Sequence, residues 1–237
     1  MPNSWFKFKQ FTIEQEYAAM KVGTDGVLLG AWATVPGSGC RALDVGTGTG
    51  LIALMIAQRT RDVDMDAIEI DPASARQAAE NFHNSPWKNR VHCLESSFQD
   101  YASRSSNRYD LIICNPPFFS DSLKTSSREK NLARHDDSLS LEDLLSASIP
   151  LMKSTTIISL VLPIQKESQV MELAAAHKLF CNRLCRVIPT RGKAPKRLLL
   201  EFSQVPGECI EDKLTIETGT RHSYTEEYLS LTGDFYL

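Results

Sequence analysis

The sequence predicts a doubly wound α/β protein, in which helices cover both faces of a mostly parallel sheet. Residues 42–57, ALDVGTGTGLIALMIA, have the pattern of a buried strand, a glycine turn and a helix. Apolar strand-like runs and helical segments then alternate along the chain, which is typical of parallel strands joined by helices. Glu69 lies about 20 residues beyond the glycine turn, where doubly wound folds place a carboxylate that binds ribose hydroxyls.

The glycine turn, residues 46–50, is suited to hold a polar small molecule. Glycines let the backbone approach a ligand, and the first N–H groups of the following helix need acceptors. The turn does not match the dinucleotide-binding fingerprint, because Leu51 stands at the sixth position, where that fingerprint has a glycine. It does not match a P-loop either, because no Lys-Ser/Thr pair follows Gly50. Asp44 would oppose a pyrophosphate, so it favours a cationic or hydroxyl-rich ligand. The alternative is a glycine-rich turn without a ligand.

The Asp-x-Gly-x-Gly-x-Gly pattern resembles motif I of the class I S-adenosylmethionine-dependent methyltransferases. The resemblance implies S-adenosylmethionine as cofactor, and we expect no metal because the sequence has no metal-ligand spacing. The residues that carry this pattern are Asp44, Gly46, Gly48 and Gly50.

The segment Lys21–Trp32 precedes the glycine turn. Thr24 or Asp25 is a suitable N-cap for a helix from Val27 to Trp32. In one interpretation this helix only packs on the sheet. In the other, the loop with Thr24 and Asp25 covers the methyl-donor end of the cofactor.

The second and third strands, predicted at 63–70 and 90–94, contribute further cofactor candidates. Glu69 is expected on the ribose, although an exposed strand-end carboxylate is the alternative. Ser97 and Phe98 follow the third strand. Because ligands bind at the carboxyl ends of such strands, both residues are candidates to flank the adenine, whereas Phe98 could equally belong to the core.

The fourth strand, 108–114, ends in Asn115-Pro116-Pro117-Phe118. The two prolines stop the strand and fix the backbone. The Asn115 side-chain oxygen and the Pro116 carbonyl can accept both N–H bonds of an exocyclic amino group, which directs its lone pair towards an electrophilic methyl. Phe118 offers a stacking face for a planar group. We therefore expect these four residues to form the catalytic site, without a strong general base.

Asn-Pro-Pro-Phe behind motif I resembles the amino methyltransferases, which modify adenine N6, guanine N2 or glutamine. Together with Lys21–Trp32, Ala133-Arg134-His135 and the tail from Tyr224 to Leu237, it resembles the bacterial tRNA1(Val) (adenine-37-N6)-methyltransferase family over nearly the whole chain. Phe118 stands where that family often has Tyr. The resemblance implies methylation of adenine N6 in tRNA on a class I, Rossmann-like, seven-stranded sheet with a reversed last strand.

The most basic stretch connects two predicted antiparallel strands, 180–188 and 197–203. On a chain of net charge −3, a local basic cluster is the expected footprint of RNA phosphates; the alternative is an ordinary solvated hairpin. The cations proposed to contact RNA are Arg186, Arg191, Lys193, Lys196 and Arg197. Arg134 and His135, in the polar loop at 119–138, are further phosphate candidates unless that loop is only solvated.

The 237 residues are enough for one domain without disulfides. We expect an N-terminal arm and helix at 1–40, a core sheet at 41–205, and a tail at 206–237 that packs back as a strand and a helix capped by Ser223. The N-terminus lacks a secretion signal, no apolar run approaches the roughly 20 residues of a membrane helix, and six cysteines lack paired spacing. These features predict a cytoplasmic protein with reduced, mostly buried thiols and no obligate protein partner.

Two alternatives to a tRNA adenine methyltransferase remain open at this stage. The same tetrapeptide serves guanine-N2 RNA methylation or protein glutamine methylation. The second alternative is a non-catalytic RNA-binding factor that kept the fold, although the intact glycine turn, Glu69 and Asn115 argue against it.

Overall fold

The computed structural model describes residues 3–18, 20–117 and 139–237. Strands and helices alternate through most of this part of the chain. The strands are β1 (Trp5–Lys7), β2 (Thr12–Glu14), β3 (Arg41–Val45), β4 (Asp64–Glu69), β5 (Val91–Glu95), β6 (Tyr109–Cys114), β7 (Met152–Pro163), β8 (Phe180–Thr190), β9 (Arg197–Ser203) and β10 (Ile210–Glu217). The α-helices are α1 (Thr24–Trp32), α2 (Leu51–Arg59), α3 (Pro72–His83), α4 (Phe98–Arg104), α5 (Leu141–Ser148), α6 (Glu167–Ala176) and α7 (Glu226–Thr232).

The main sheet has the strand order β10-β8-β9-β7-β6-β3-β4-β5. Strands β5, β4, β3, β6 and β7 are parallel, and β9 is antiparallel to both β7 and β8. The predicted α/β class and the reversed strand are therefore confirmed. The predicted count of seven strands is wrong, because β10 from the tail pairs in parallel with β8 and adds an eighth.

Helices cover both faces of this sheet, as predicted. Alternate residues of each strand point to opposite faces, so Ala42 belongs to the core under α1, α2 and α3, whereas Leu43 belongs to the core under α4, α5 and α6. The N-terminal hairpin of β1 and β2 packs on the first of these faces. There the Phe8 ring stacks on Phe11 and on Tyr236 from the tail.

The carboxyl ends of β3, β4, β6, β7 and β8 lie on one edge of the sheet, which we call the carboxyl edge. The pairing of Arg197 with Pro163, the last residue of β7, also brings the start of β9 to this edge. The tip of the β8–β9 hairpin, residues 191–196, therefore extends from the same edge as the glycine turn and Asn115.

The helix caps predicted for α1 and α7 are wrong, whereas two other helices have side-chain caps. Asp71 caps α3 and Ser140 caps α5 through side-chain acceptors. Helix α1 begins one turn earlier than predicted, with Gly23 as its N-cap, so neither Thr24 nor Asp25 caps it. Helix α7 is capped by Thr225, whose hydroxyl accepts from the Tyr228 N–H, rather than by Ser223.

All six cysteines are free, and three of them are buried while the other three are partly exposed. The thiols are thus less uniformly buried than predicted. Within the described residues, no helix is long and apolar enough to cross a membrane, and no cluster of three or more His, Cys, Asp or Glu side chains could hold a metal ion.

Candidate active site

The glycine turn adopts a conformation that only glycine takes easily. Gly46, Gly48 and Gly50 have φ values of +70°, +58° and +82°, in the left-handed region. A Cβ on Gly46 or Gly48 would meet nothing within 4 Å, whereas a Cβ on Gly50 would collide with the Phe82 ring. The first two glycines therefore leave open space for a ligand, and the third permits close packing of α2 against α3.

Hydrogen bonds from the turn reach the neighbouring strand. The N–H groups of Gly46 and Thr47 donate to the Ile68 carbonyl at 2.8 and 3.0 Å. Gly50, the N-cap of α2, has no side chain that could cap the helix, so the first N–H groups of α2 need other acceptors.

Asp44 is completely buried beneath the turn. Its Oδ2 accepts from the Thr47 hydroxyl at 2.6 Å, while its Oδ1 accepts no hydrogen bond of good geometry from the described residues. Burial raises the pKa of Asp44 to about 7. The Thr47 hydroxyl and the Ala53 N–H, which face the carboxyl, lower the pKa, and the charge of Glu69 raises it further. This oxygen is thus a buried acceptor that a cationic donor would satisfy.

Glu69 at the end of β4 is also buried, with 8% of its surface exposed. Its Oε2 accepts from the Gly48 N–H at 2.8 Å, and its Oε1 accepts from the Asp71 N–H at 3.0 Å. The alternative of a merely exposed strand-end carboxylate is therefore wrong. The carboxylate is held in a fixed orientation against the glycine turn.

Asn115 follows β6, directly beside the end of β3. Its Oδ1 is buried and has no hydrogen-bond partner among the described residues. Its Nδ2 lies 4.0 Å from the position of a Cβ on Gly26, and Leu51 Cδ2 lies 3.1 Å from the same point. Asn115 thus meets the starts of α1 and α2 at the carboxyl edge. Pro116 is buried and Pro117 is exposed, while Phe118 lies outside the described residues.

The start of α1 is fixed by an ion pair rather than by a cap. Asp25 Oδ2 accepts from Arg197 Nε at 2.8 Å, which connects α1 to the first residue of β9. Thr24 and Asp25 directly precede Gly26, whose Cβ position would lie 4.0 Å from Asn115 Nδ2. The Asp25 carboxylate has an internal partner, so its contact with a cofactor stays a prediction.

The fold and motifs agree with known methyltransferases. A family model described as "Methyltransferase small domain" matches residues 24–137. A tRNA1(Val) (adenine(37)-N6)-methyltransferase from Flavobacterium psychrophilum is 45% identical over 98% of this chain and 99% of its own length. The chain belongs to this methyltransferase family. Relatives of the same name from Bacteroides thetaiotaomicron and Parabacteroides distasonis are 45% and 46% identical over 100% of this chain and 99% of theirs.

Solved structures agree on the fold of this family member. A predicted O-methyltransferase from Agrobacterium tumefaciens has a TM-score of 0.68 at 18% identity, covering 89% of this chain and 96% of its own. A ribosomal protein L11 methylase from Lactobacillus delbrueckii subsp. bulgaricus has a TM-score of 0.56 at 15% identity, covering 81% and 83%. The family predicted from the motifs and the class I methyltransferase fold are both confirmed.

The structure places Ser97 and Phe98, the two predicted adenine contacts, in different environments. Phe98 has 4% of its surface exposed and packs in the core beneath α4, which was the alternative interpretation. Ser97 is the N-cap of α4, where its hydroxyl accepts from the Asp100 N–H. We therefore do not retain Phe98 as a cofactor contact.

Ile70 is a candidate that the sequence interpretation missed. It follows Glu69 at the carboxyl edge, and 49% of its surface is exposed. The available signal was a large apolar residue between two carboxylates, Glu69 and Asp71, at a strand end. An exposed apolar side chain beside a predicted ribose site is suited to contact a planar base.

The cations of the basic hairpin fall into two groups, those that form ion pairs and those that form none within the described residues. Arg186 lies between Glu167 and Glu211, with nitrogen–oxygen distances of 2.5 and 2.6 Å, and Arg197 is bound to Asp25. These two arginines therefore tie elements together, and we do not retain them as RNA contacts. Three exposed cations have no ion pair within the described residues, namely Arg191, Lys193 and Lys196. Arg134 and His135 lie outside those residues.

Proposed function

We propose that this chain transfers a methyl group from S-adenosylmethionine to N6 of adenine 37 in tRNA1(Val). The names of relatives that are 42–46% identical over nearly the whole chain support this substrate and position. One observation carries the chemistry: the buried Oδ1 of Asn115 lacks a donor within the described residues and lies at the end of β6, beside the end of β3 that leads into the glycine turn. An acceptor in this position suits an exocyclic amino group.

The residues of the glycine turn fit S-adenosylmethionine. The open space beside Gly46 and Gly48 lets a ligand approach the backbone. The buried Oδ1 of Asp44, which accepts no hydrogen bond of good geometry from the described residues, suits the ammonium group of the cofactor. Glu69 suits the ribose hydroxyls, and the half-exposed Ile70 offers an apolar face to the adenine.

When bound, S-adenosylmethionine supplies an electrophilic methyl group. The task of the chain is to present the adenine amino nitrogen, whose lone pair is otherwise delocalised into the ring. Asn115 Oδ1 and the Pro116 carbonyl accept its two N–H bonds, which turns the lone pair out of the ring plane and stabilises positive charge on nitrogen. The nitrogen then loses one proton to solvent. Phe118, by this proposal, stacks on the base.

The hairpin tip supports an RNA substrate. Arg191, Lys193 and Lys196 are exposed, lack ion pairs within the described residues and extend from the carboxyl edge. Phosphates of the anticodon arm would displace counterions from these side chains. Arg134 and His135 are proposed as further phosphate contacts.

The test uses the purified chain, labelled S-adenosylmethionine and two tRNA1(Val) transcripts, one with adenine 37 and one with guanine there. Label in the adenine transcript alone, recovered as N6-methyladenosine, is expected. Methylguanosine in either transcript would support guanine N2 as the target. Label in added cellular protein, with none in tRNA, would overturn the proposal in favour of glutamine.

A further inference from the structure

Asn81 of α3 contacts the glycine turn and the N-terminal arm at the same time. It has 1% of its surface exposed. Its Nδ2 donates to the Thr49 carbonyl at 2.9 Å and to the Glu14 carbonyl at 2.8 Å, and its Oδ1 accepts from the Glu14 N–H at 2.9 Å. One buried carboxamide thus joins β2 to the turn before α2.

The glycine turn needs such outside contacts to keep one conformation. Glycine has more backbone freedom than any other residue, and nothing packs where a Cβ of Gly46 or Gly48 would lie. The first part of the turn is held by the Ile68 carbonyl and by Glu69. Helix α3 holds the last part of the turn by two contacts. Asn81 donates a hydrogen bond to the Thr49 carbonyl, and the Phe82 ring packs against Gly50.

The arm determines the orientation of the Asn81 carboxamide. The Glu14 N–H and carbonyl bind its oxygen and its nitrogen respectively, so the amide cannot turn over without losing both bonds. The remaining N–H of the carboxamide then faces Thr49. Correct docking of β2 therefore directs the donor that holds the turn.

We infer that Asn81 is a positioning residue for the cofactor site. By holding the Thr49 carbonyl it keeps the glycine turn in the conformation that binds S-adenosylmethionine, and it makes cofactor affinity depend on docking of the N-terminal arm. This inference rests on the proposed use of the glycine turn by the cofactor. Asn81 itself does not touch the reacting atoms.

The test compares Asn81→Leu with Gln77→Leu in the full chain. Gln77 is a matched control, because it is on the same helix, has 3% of its surface exposed and accepts from the Tyr17 N–H of the arm without touching the turn. The dissociation constant of S-adenosylmethionine is measured by calorimetry without tRNA, beside the melting temperature. At saturating cofactor, kcat and the KM for tRNA are then measured.

For Asn81→Leu we expect the cofactor dissociation constant to rise about tenfold or more, while kcat and the KM for tRNA stay within about threefold. Gln77→Leu should lose a similar amount of melting temperature yet keep its cofactor affinity within about twofold. Unchanged affinity in Asn81→Leu, or an equal loss in both variants, would overturn the inference. If Asn81→Leu does not fold, Asn81→Asp, which keeps the volume and removes the donor, is measured against the same criteria.

Failure of the proposed function has a different signature. Because binding is measured without RNA, a wrong tRNA assignment leaves these dissociation constants untouched. If the unaltered chain itself does not bind S-adenosylmethionine, the proposed function fails and not only the role of Asn81.

Discussion

The cofactor corner and the hairpin tip lie on the same edge of the sheet and are built in opposite ways. The corner where the cofactor is proposed to bind consists of Asp44, the turn 46–50, Glu69 and Asn115. Glu69 accepts from the Gly48 N–H, whereas the buried Oδ1 atoms of Asp44 and Asn115 accept no hydrogen bond of good geometry from the described residues. The hairpin tip, residues 191–196, keeps its cations in solvent. Methyl transfer needs fixed acceptors in a dry site, whereas phosphate attraction works between solvated charges.

The two regions should therefore respond differently to substitution. Changes in the corner should affect chemistry, cofactor binding or stability by large factors. Changes at the tip should affect only tRNA binding, and only by small factors.

The largest effect is expected for Asn115→Ala. Losing the acceptor for the amino group should lower kcat by about 100- to 1,000-fold, while the dissociation constant of S-adenosylmethionine stays within about threefold, because the glycine turn is unchanged. Single-turnover kinetics and calorimetry on the same preparation check both values. Asn115→Asp, which keeps an oxygen acceptor, should retain more activity. Loss of cofactor binding in Asn115→Ala would contradict the division of roles.

The second effect concerns Asp44 and pH. Its folded pKa of about 7 lies above its unfolded value of 3.8, so between these values the folded state holds a proton that the unfolded state has lost. The stability of the ligand-free protein should thus fall by about 3 kcal/mol as pH rises from about 4 to about 7. Asp44→Asn, which imitates the protonated carboxyl, should remove this fall. Urea unfolding across this pH range measures the fall in unfolding free energy. If the unfolding free energy depends on pH equally in both proteins, its assignment to Asp44 is disproved.

The third effect separates two glycines of the turn. Gly48→Ala should cost about 1–2 kcal/mol of unfolding free energy, because only the left-handed backbone disfavours a Cβ there. Gly50→Ala should cost about 1–3 kcal/mol more, because its Cβ also collides with the Phe82 ring. Denaturant unfolding of the two variants decides this, and equal losses would show that Phe82 adapts without cost.

The smallest effect is expected at the hairpin tip. Replacing Arg191, Lys193 and Lys196 together by alanine should raise the KM for tRNA about tenfold and reduce the slope of log affinity against log salt by up to about 3. Cofactor affinity should not change. Arg186→Gln is the matched control, because this cation is already bound to two carboxylates. A larger rise in KM for the control than for the tip would reverse the comparison.

Local patterns in the sequence were enough to predict the corner. The left-handed glycines, the strand-end Glu69 and the proline-terminated β6 are encoded by neighbouring residues, so motif spacing located them. The hairpin was recognised as basic, but the partners of Arg186 are 19 and 25 residues away. No local pattern shows which cations a fold neutralises.

Other features could not be predicted because they depend on distant contacts. A strand in the tail was predicted, but its partner was not: β10 becomes the eighth strand of the main sheet only by pairing with β8. The N-cap of α1 is Gly23, and Asp25, one of the predicted caps, instead pairs with Arg197, 172 residues away. Asn81 gave no sequence signal at all, since its partner Glu14 lies 67 residues earlier.

The most direct test of the central claim, that this corner methylates adenine N6 in tRNA, uses total tRNA from cells that lack this protein. The purified chain transfers labelled methyl from S-adenosylmethionine, and the tRNA is then digested to nucleosides and mapped by fragment. The account predicts N6-methyladenosine at one position, adenine 37 of tRNA1(Val), and no transfer by Asn115→Ala. Label in another nucleoside, or transfer by Asn115→Ala at the unaltered rate, would contradict it.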